Sequence, residues 1–317
     1  MASDEPHTHH LSLITAVWCL FCVEINVLAR LRSKFHCRRM NFPKFWARGQ
    51  NGDFICWRWS STTFEEAQAL ANEAARLLAE RFRAGQRPSK KGGYYPDRPF
   101  REQVLREMKS AAGDIAAVVT RNSYGCLVLN TSQVMFVDID LPEPKVSRGF
   151  FSSLFGKPDL TPPRDVQGDV IRNVENWSQA HPEWGWRVYR TRAGLRLMAT
   201  HGLVDANSPL AIEVFGTFGA DPLYQKLCQS QKCYRARLTP KPWRCGVNRK
   251  PDRWPWLEPK AEKRFQNWET EYNARSSSWS TCELVRQIGN REVHSEIAPI
   301  LSYHDTTTRI GTGLQLA

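Results

Sequence analysis

The chain has 317 residues, 41% of them hydrophobic and 24% charged, which excludes a disordered or low-complexity protein and suffices for one large or two ordinary domains. Lys and Arg number 44 against 32 Asp and Glu, and the formal charge of +12 with a pI near 9.4 favours a polyanionic partner such as nucleic acid or a nucleotide. The nine cysteines are an odd, irregularly spaced set, several inside apolar runs, which excludes a secreted disulfide framework and predicts buried thiols in a reducing, cytoplasmic compartment.

Residues 11–28 are apolar, but they contain Glu24 and Asn26 and no Lys or Arg precedes them, so an export signal is not expected. The composition changes at Met40, and residues 1–39 read as an N-terminal extension outside the fold, with a single-pass anchor as the alternative that would bring in a membrane. Residues 54–59 then read as a strand. Thr62 or Thr63 can cap a helix running to about 83, with Phe64, Ala67, Leu70, Ala71, Ala74, Leu77, Leu78 and Phe82 as its apolar stripe. A loop at 87–97 leads to a second helix predicted at 99–109. Three apolar runs follow, at 115–120, 126–129 and 134–140, separated by Asn- and Ser-containing turns, and they predict an antiparallel meander.

Its last strand carries the most informative feature of the chain, Val137 Asp138 Ile139 Asp140. Side chains alternate across a strand, so the two aspartates share a face and must repel each other unless a positive group lies between them. A hard cation, Mg²⁺ or Mn²⁺, held by carboxylates and shared with substrate phosphates is one solution, and solvation at a strand edge is the plain one.

Residues 142–165 are rich in Pro, Gly and Ser and read as a surface loop. Val166, Val170, Val174 and Trp177 mark a helix, followed by strands at 185–190 and 195–200 around a turn. That hairpin holds Arg190, Thr191, Arg192, Gly194 and Arg196, in which guanidinium forks match phosphate oxygens and glycine admits close backbone approach. Taken alone, an ordinary hairpin with a solvated basic tip is the better reading of it. Asp221 can complete an acidic site or cap a helix beginning at Pro222. If 234–238 is a strand, Arg235 and Arg237 share a face, with Lys241 beyond them. Trp243, Arg244, Arg249, Lys250, Arg253 and Trp254 form the aromatic and basic mixture that stacks bases and tracks phosphates. A zinc site from Cys228, Cys233, Cys245 and His201 lacks a standard spacing, and buried thiols are the better reading. His304 Asp305 reads as helix-end hydrogen bonding. From Ala261 onward the pattern is helical.

The order of a DxD strand, a Gly-turn-basic hairpin and a later acid followed by Arg and Lys resembles the archaeo-eukaryotic primase (primase-polymerase) superfamily over roughly residues 115–245. Val137 Asp138 Ile139 Asp140 matches the family's first motif. Thr191 Arg192 Ala193 Gly194 Leu195 Arg196 follows the second in outline, with Arg196 where the family has histidine, and Asp221 is a loose third. The segments FPKFWA, YYPDRP, TRNSYG and LTPKPWRCG are also similar to a bacterial protein family with no assigned activity.

The resemblance implies an α+β fold with an RRM-like mixed sheet core over 112–245, flanked by an α/β segment at 40–111 and by a basic Trp/Pro-rich segment with a helical C-terminal tail at 246–317. It further implies a nucleotidyltransferase, active or degenerate. In it Asp138, Asp140 and Asp221 hold Mg²⁺ or Mn²⁺ and act on a nucleoside triphosphate gripped by Arg190, Thr191, Arg192, Gly194, Arg196, Arg235, Arg237 and Lys241. A non-enzymatic nucleic-acid-binding protein and a metal-dependent phosphodiesterase or nuclease are the rival expectations.

Overall fold

The computed structural model describes residues 40, 42–86, 98–142 and 165–317. The apolar run at 11–28 and nearly all of the loops expected at 87–97 and 142–165 lie outside these residues. Among the described residues no helix is long and apolar enough to cross a membrane.

Strands β1 (Phe45–Asn51) and β2 (Phe54–Ser60) form a hairpin closed by Gly52 and Asp53, with Gly52 at φ 58 as a two-residue turn requires. Helix α1 (Phe64–Arg83) begins where the Thr63 side chain accepts a hydrogen bond from the Glu66 N–H, and it lies on this hairpin. Its buried face is Ala67, Ala71, Ala75 and Ala79. The reason is Gly49 on β1: a Cβ there would stand 2.0 Å from the Ala71 carbonyl oxygen, so backbone meets backbone and only alanine-sized side chains fit between. The expected stripe is therefore corrected. Ala67 and Ala71 are fully buried, whereas Phe64, Leu70, Leu77 and Phe82 flank the contact and remain exposed.

The segment expected as a helix at 99–109 is instead strand β3 (Gln103–Lys109), paired antiparallel with β4 (Ile115–Arg121). Two register shifts break its period-two pattern, which hid the strand in the sequence. Next comes β5 (Leu127–Thr131), which pairs with β4 and, on its other edge, with β9 (Tyr234–Arg237), so the first sheet runs β3-β4-β5-β9, all antiparallel.

The aspartate strand β6 (Phe136–Asp140) does not extend this meander. It joins a second antiparallel sheet with β7 (Gly185–Thr191), β8 (Gly194–Ala199) and β10 (Cys282–Gly289), in the order β10-β7-β8-β6. Phe136, Val137 and Ile139 are all buried, so β6 needs cover on both faces, which an edge position in a one-layer meander would not supply. The second sheet's connections are α2 (Val166–Ala180), between β6 and β7, and α3 (Pro209–Phe218) with α4 (Pro222–Gln231), between β8 and β9.

The C-terminal part is not purely helical. Between α5 (Pro259–Ser276) and α6 (Ala298–Thr308), β10 adds an edge strand to the second sheet, and a bulge between Leu284 and Arg286 breaks the alternation that would have announced it. One core joins both sheets, with Leu129 of β5, Phe136 and Val137 of β6, Trp186 and Val188 of β7, and Phe215 of α3 all buried in it. A smaller cluster of Phe265, Trp268 and Tyr272 packs α5 onto Val247, and Gly125 leaves room for the Trp268 ring, which a Cβ would meet at 2.3 Å.

Candidate phosphate-binding cleft

Strand register decides which sequence candidates meet. Asp138 stands opposite Arg196, and Arg196 opposite Tyr189, so these three share one face of the second sheet. Asp140, two residues on, is opposite Gly194, where a Cβ would stand 2.0 Å from the Ile139 carbonyl oxygen, so only glycine lets β8 approach β6 this closely. Thr191 closes the turn through its hydroxyl, which accepts from the Gly194 N–H and donates to the Gly194 carbonyl, both at 3.1 Å. Arg190 belongs to the row of Leu195 and Ile139 and lies on the opposite face from Asp138, so it is not brought to the site.

Asp138 is committed to Arg196. The guanidinium donates from Nε to Oδ1 at 2.8 Å and from Nη2 to Oδ2 at 3.2 Å, and its remaining nitrogen, Nη1, donates to the Arg237 carbonyl at 3.0 Å. Arg196 is only 2% exposed. Burial disfavours its charge, and the charge and hydrogen bonds of Asp138 more than restore it, so the guanidinium is held above its ordinary pKa.

Asp221 is the N-cap of α4, where its Oδ1 accepts from Leu223 N–H at 3.2 Å and its Oδ2 from Tyr224 N–H at 3.0 Å. Its own N–H donates to the Asp138 carbonyl at 2.9 Å, which ties the start of α4 to the aspartate strand. Asp140 is the least committed of the three. Burial, then the charges of Asp221 and Asp138, push its carboxyl above the ordinary range, against the pull of Lys241 and Arg237. Lys241 and Arg244 are each pushed down, first by burial and then by Arg237 and other cations, with Arg192 acting on Arg244.

A cleft of about 740 Å³ opens on the Asp138 side, where residues distant in the sequence converge. Strand β2 supplies Trp57 and Arg58, the segment before β3 supplies Arg98, Phe100 and Arg101, and the β4–β5 turn supplies Tyr124. Arg235 and Arg237 of β9 and Lys250, Arg253 and Trp254 complete it. Arg235 donates from Nη2 to both oxygens of Glu102 at 2.8 Å, and both side chains are 7% exposed. Its Nη1 has no partner among the described residues, nor do Arg237 Nε and Arg244 Nη1.

Positive charge in the cleft is in excess. Burial, then Arg121 and Arg253, drive the Lys250 ammonium down to about 8, and burial with Arg253 and Arg98 lowers Arg101. Arg101 lies over the Trp57 ring at 3.9 Å. Beside the cleft, Trp243 meets Tyr124 edge-on at 5.2 Å, with Lys241 and Arg249 each 5.6 Å from the Trp243 ring. Sequence reasoning missed Trp57, Arg58, Arg98, Arg101 and Tyr124. The Trp-Arg-Trp run at 57–59 was the available signal, and it reads equally as an ordinary strand.

Among the described residues no group of three His, Cys, Asp or Glu side chains is set to hold a metal. Both Asp138 oxygens accept from Arg196 and both Asp221 oxygens accept from α4, so a metal ion held here would have to share or displace those bonds. Of the candidate zinc ligands, Cys228 and Cys233 are fully buried thiols, the latter raised to about 12 by burial, and His201 packs on Trp184 with ring centroids 3.9 Å apart. His304 is buried and joins Asp305, which also accepts from Tyr189 at 2.9 Å and Arg187 at 2.6 Å, pinning α6 to the second sheet.

No protein-family model, curated protein or solved structure matches this chain.

Proposed function

We propose that this protein binds nucleic acid through the cationic, aromatic cleft, on a scaffold of primase-polymerase type. The observation that carries the reading is the convergence of Arg58, Arg98, Arg101, Arg237, Lys250 and Arg253 around the cleft, where burial and then neighbouring cations push Lys250 and Arg101 down. A polyphosphate backbone relieves that repulsion, and the aromatic rings around it offer faces for bases. The scaffold reading draws on chain order. Strands β6, β7, β8 and β9 with α2, α3 and α4 follow the strand-helix-strand-strand-helix-strand sequence of an RRM-like core, and β7-β8-β6 are neighbours in the order such a core uses. Here β9 pairs with β5, while its Arg237 carbonyl takes a hydrogen bond from Arg196 on β8 of the other sheet.

The test is fluorescence anisotropy of a labelled oligonucleotide across a salt series. Binding with an affinity that falls steeply with salt is expected, and substituting Arg101 or Lys250 by alanine lowers the log–log slope by about 1 each. Absence of binding at low salt would refute the reading.

One observation favours a second reading, metal-dependent nucleotidyl transfer from a nucleoside triphosphate: Asp140 stands near Asp138 and Asp221, and burial, then their two charges, raise its carboxyl. Primer extension with Mg²⁺ or Mn²⁺ distinguishes the two, since the first reading expects no product and the second expects product that Asp140→Asn abolishes.

A further inference from the structure

We infer that the cleft binds polynucleotide phosphates without a divalent cation, because Arg196 already supplies the positive charge that the aspartate strand requires and the cleft's own guanidiniums supply what the phosphates require. The inference rests on the nucleic-acid reading above. A cation serving phosphates at this site would have to take oxygens from Asp138 and its neighbours. Both Asp138 oxygens are held in the Arg196 fork at 2.8 and 3.2 Å, and the third guanidinium nitrogen is fastened to the Arg237 carbonyl at 3.0 Å. An arginine 2% exposed has no water to turn to, so displacing it from Asp138 would leave a buried charge without its counterion.

Asp221 is no freer. Turning its carboxylate toward a cation would remove the two hydrogen bonds that cap α4. That leaves Asp140 as the one carboxylate of the three not engaged in this way. On the phosphate side, Arg98 and Arg253 line the cleft and are exposed, and a planar guanidinium matches phosphate oxygens as a metal ion otherwise would. The charge balance of the site is thus met by arginine at both ends.

The experiment is anisotropy of a short fluorescein-labelled single-stranded oligonucleotide with the full chain, in EDTA and in millimolar Mn²⁺ at matched ionic strength. Dissociation constants within about twofold of each other are expected, because only screening should change. Tightening by about tenfold or more with Mn²⁺, lost in Asp140→Asn, would overturn the inference and leave nucleic-acid binding standing. No binding in either buffer would overturn the nucleic-acid reading itself, and this inference with it. A parallel Mn²⁺ titration of the chain alone, read by the electron paramagnetic resonance of free Mn²⁺, is expected to show no saturable site that Asp140→Asn removes. Such a site would count against the inference independently of any oligonucleotide.

Discussion

Asp138 and Arg196 face each other in register across two strands, and neither is replaceable alone. Removing the carboxylate in Asp138→Ala strands a buried guanidinium, for which a loss of about 3 kcal/mol is expected in chemical denaturation, the lower end of the range for breaking buried pairs because Asp138 is itself 31% exposed. Removing both charges in Asp138→Leu with Arg196→Met should recover much of that loss. A double variant as unstable as the single one would show that the pair is held by geometry and not by charge.

Lys250 gives a pH signature at the same scale. Its ammonium titrates near 8 in the folded chain against 10.5 ordinarily, so between these values the unfolded chain holds a proton that the folded chain has lost. Its contribution to stability therefore rises with pH from about 8 to 10.5 and is a constant cost below that window. A phosphate beside it favours the charged form, so oligonucleotide binding takes up a proton above pH 8. Affinity is expected to fall by up to about tenfold between pH 8 and about pH 9 through this group. In Lys250→Arg the fall should vanish, since guanidinium stays charged, and an unchanged pH profile in that variant would remove Lys250 from the contact.

At the scale of the element, α4 and the β7–β8 hairpin hold the site by backbone, and this separates structural from chemical roles. Asp221→Ser keeps a competent N-cap, so melting temperature and oligonucleotide affinity should both stay close to the parent, whereas Asp221→Ala should cost about 1 kcal/mol. A large loss of binding in the serine variant with an unchanged melt would give Asp221 a role in the ligand site. Gly194→Ala drives a methyl into the Ile139 carbonyl and must part β8 from β6, with a cost of about 2 kcal/mol or more expected in denaturation.

The elements themselves were unevenly legible. Helices α1 and α2 and strands β6, β7 and β8 stood out because unbroken periodicity of 3.6 or 2 runs through them and Thr63 marks a helix start. Strands β3 and β10 did not, because bulges shift the phase of their side chains partway along. The stripe of α1 was misjudged toward its large residues because Gly49 makes alanine the better filling, a preference set by a strand some twenty residues away.

At the scale of the whole molecule, the cleft exists because two antiparallel sheets share one core while β2, the segment before β3, β9 and the 250–254 segment converge beside it. Each contributes one or two cations, and only those of β9 and the 250–254 segment stand in runs that the sequence singles out. The whole-molecule expectation is therefore electrostatic: binding that is steeply salt-dependent, weakened in small equal steps by single cation substitutions, and insensitive to which base is presented unless the aromatic rings are removed.

By itself the sequence determined the chemistry available: a basic chain with buried thiols, two aspartates on one face of a buried strand, a glycine turn joining basic strands, and an Asp-Pro pair fit to cap a helix. Local alternation and capping depend on neighbours a few residues apart, so they can be read directly. What only the tertiary structure decided is how those charges are spent. Arg196 and Asp138 neutralise each other, Asp221 is consumed by a helix, Arg190 faces away, and Arg58, Arg98 and Arg101 arrive from far upstream to meet Arg235, Arg237 and Lys250. Partnerships of that kind follow from strand register and sheet order, which are set by how the whole core packs and leave no mark at any one position in the chain.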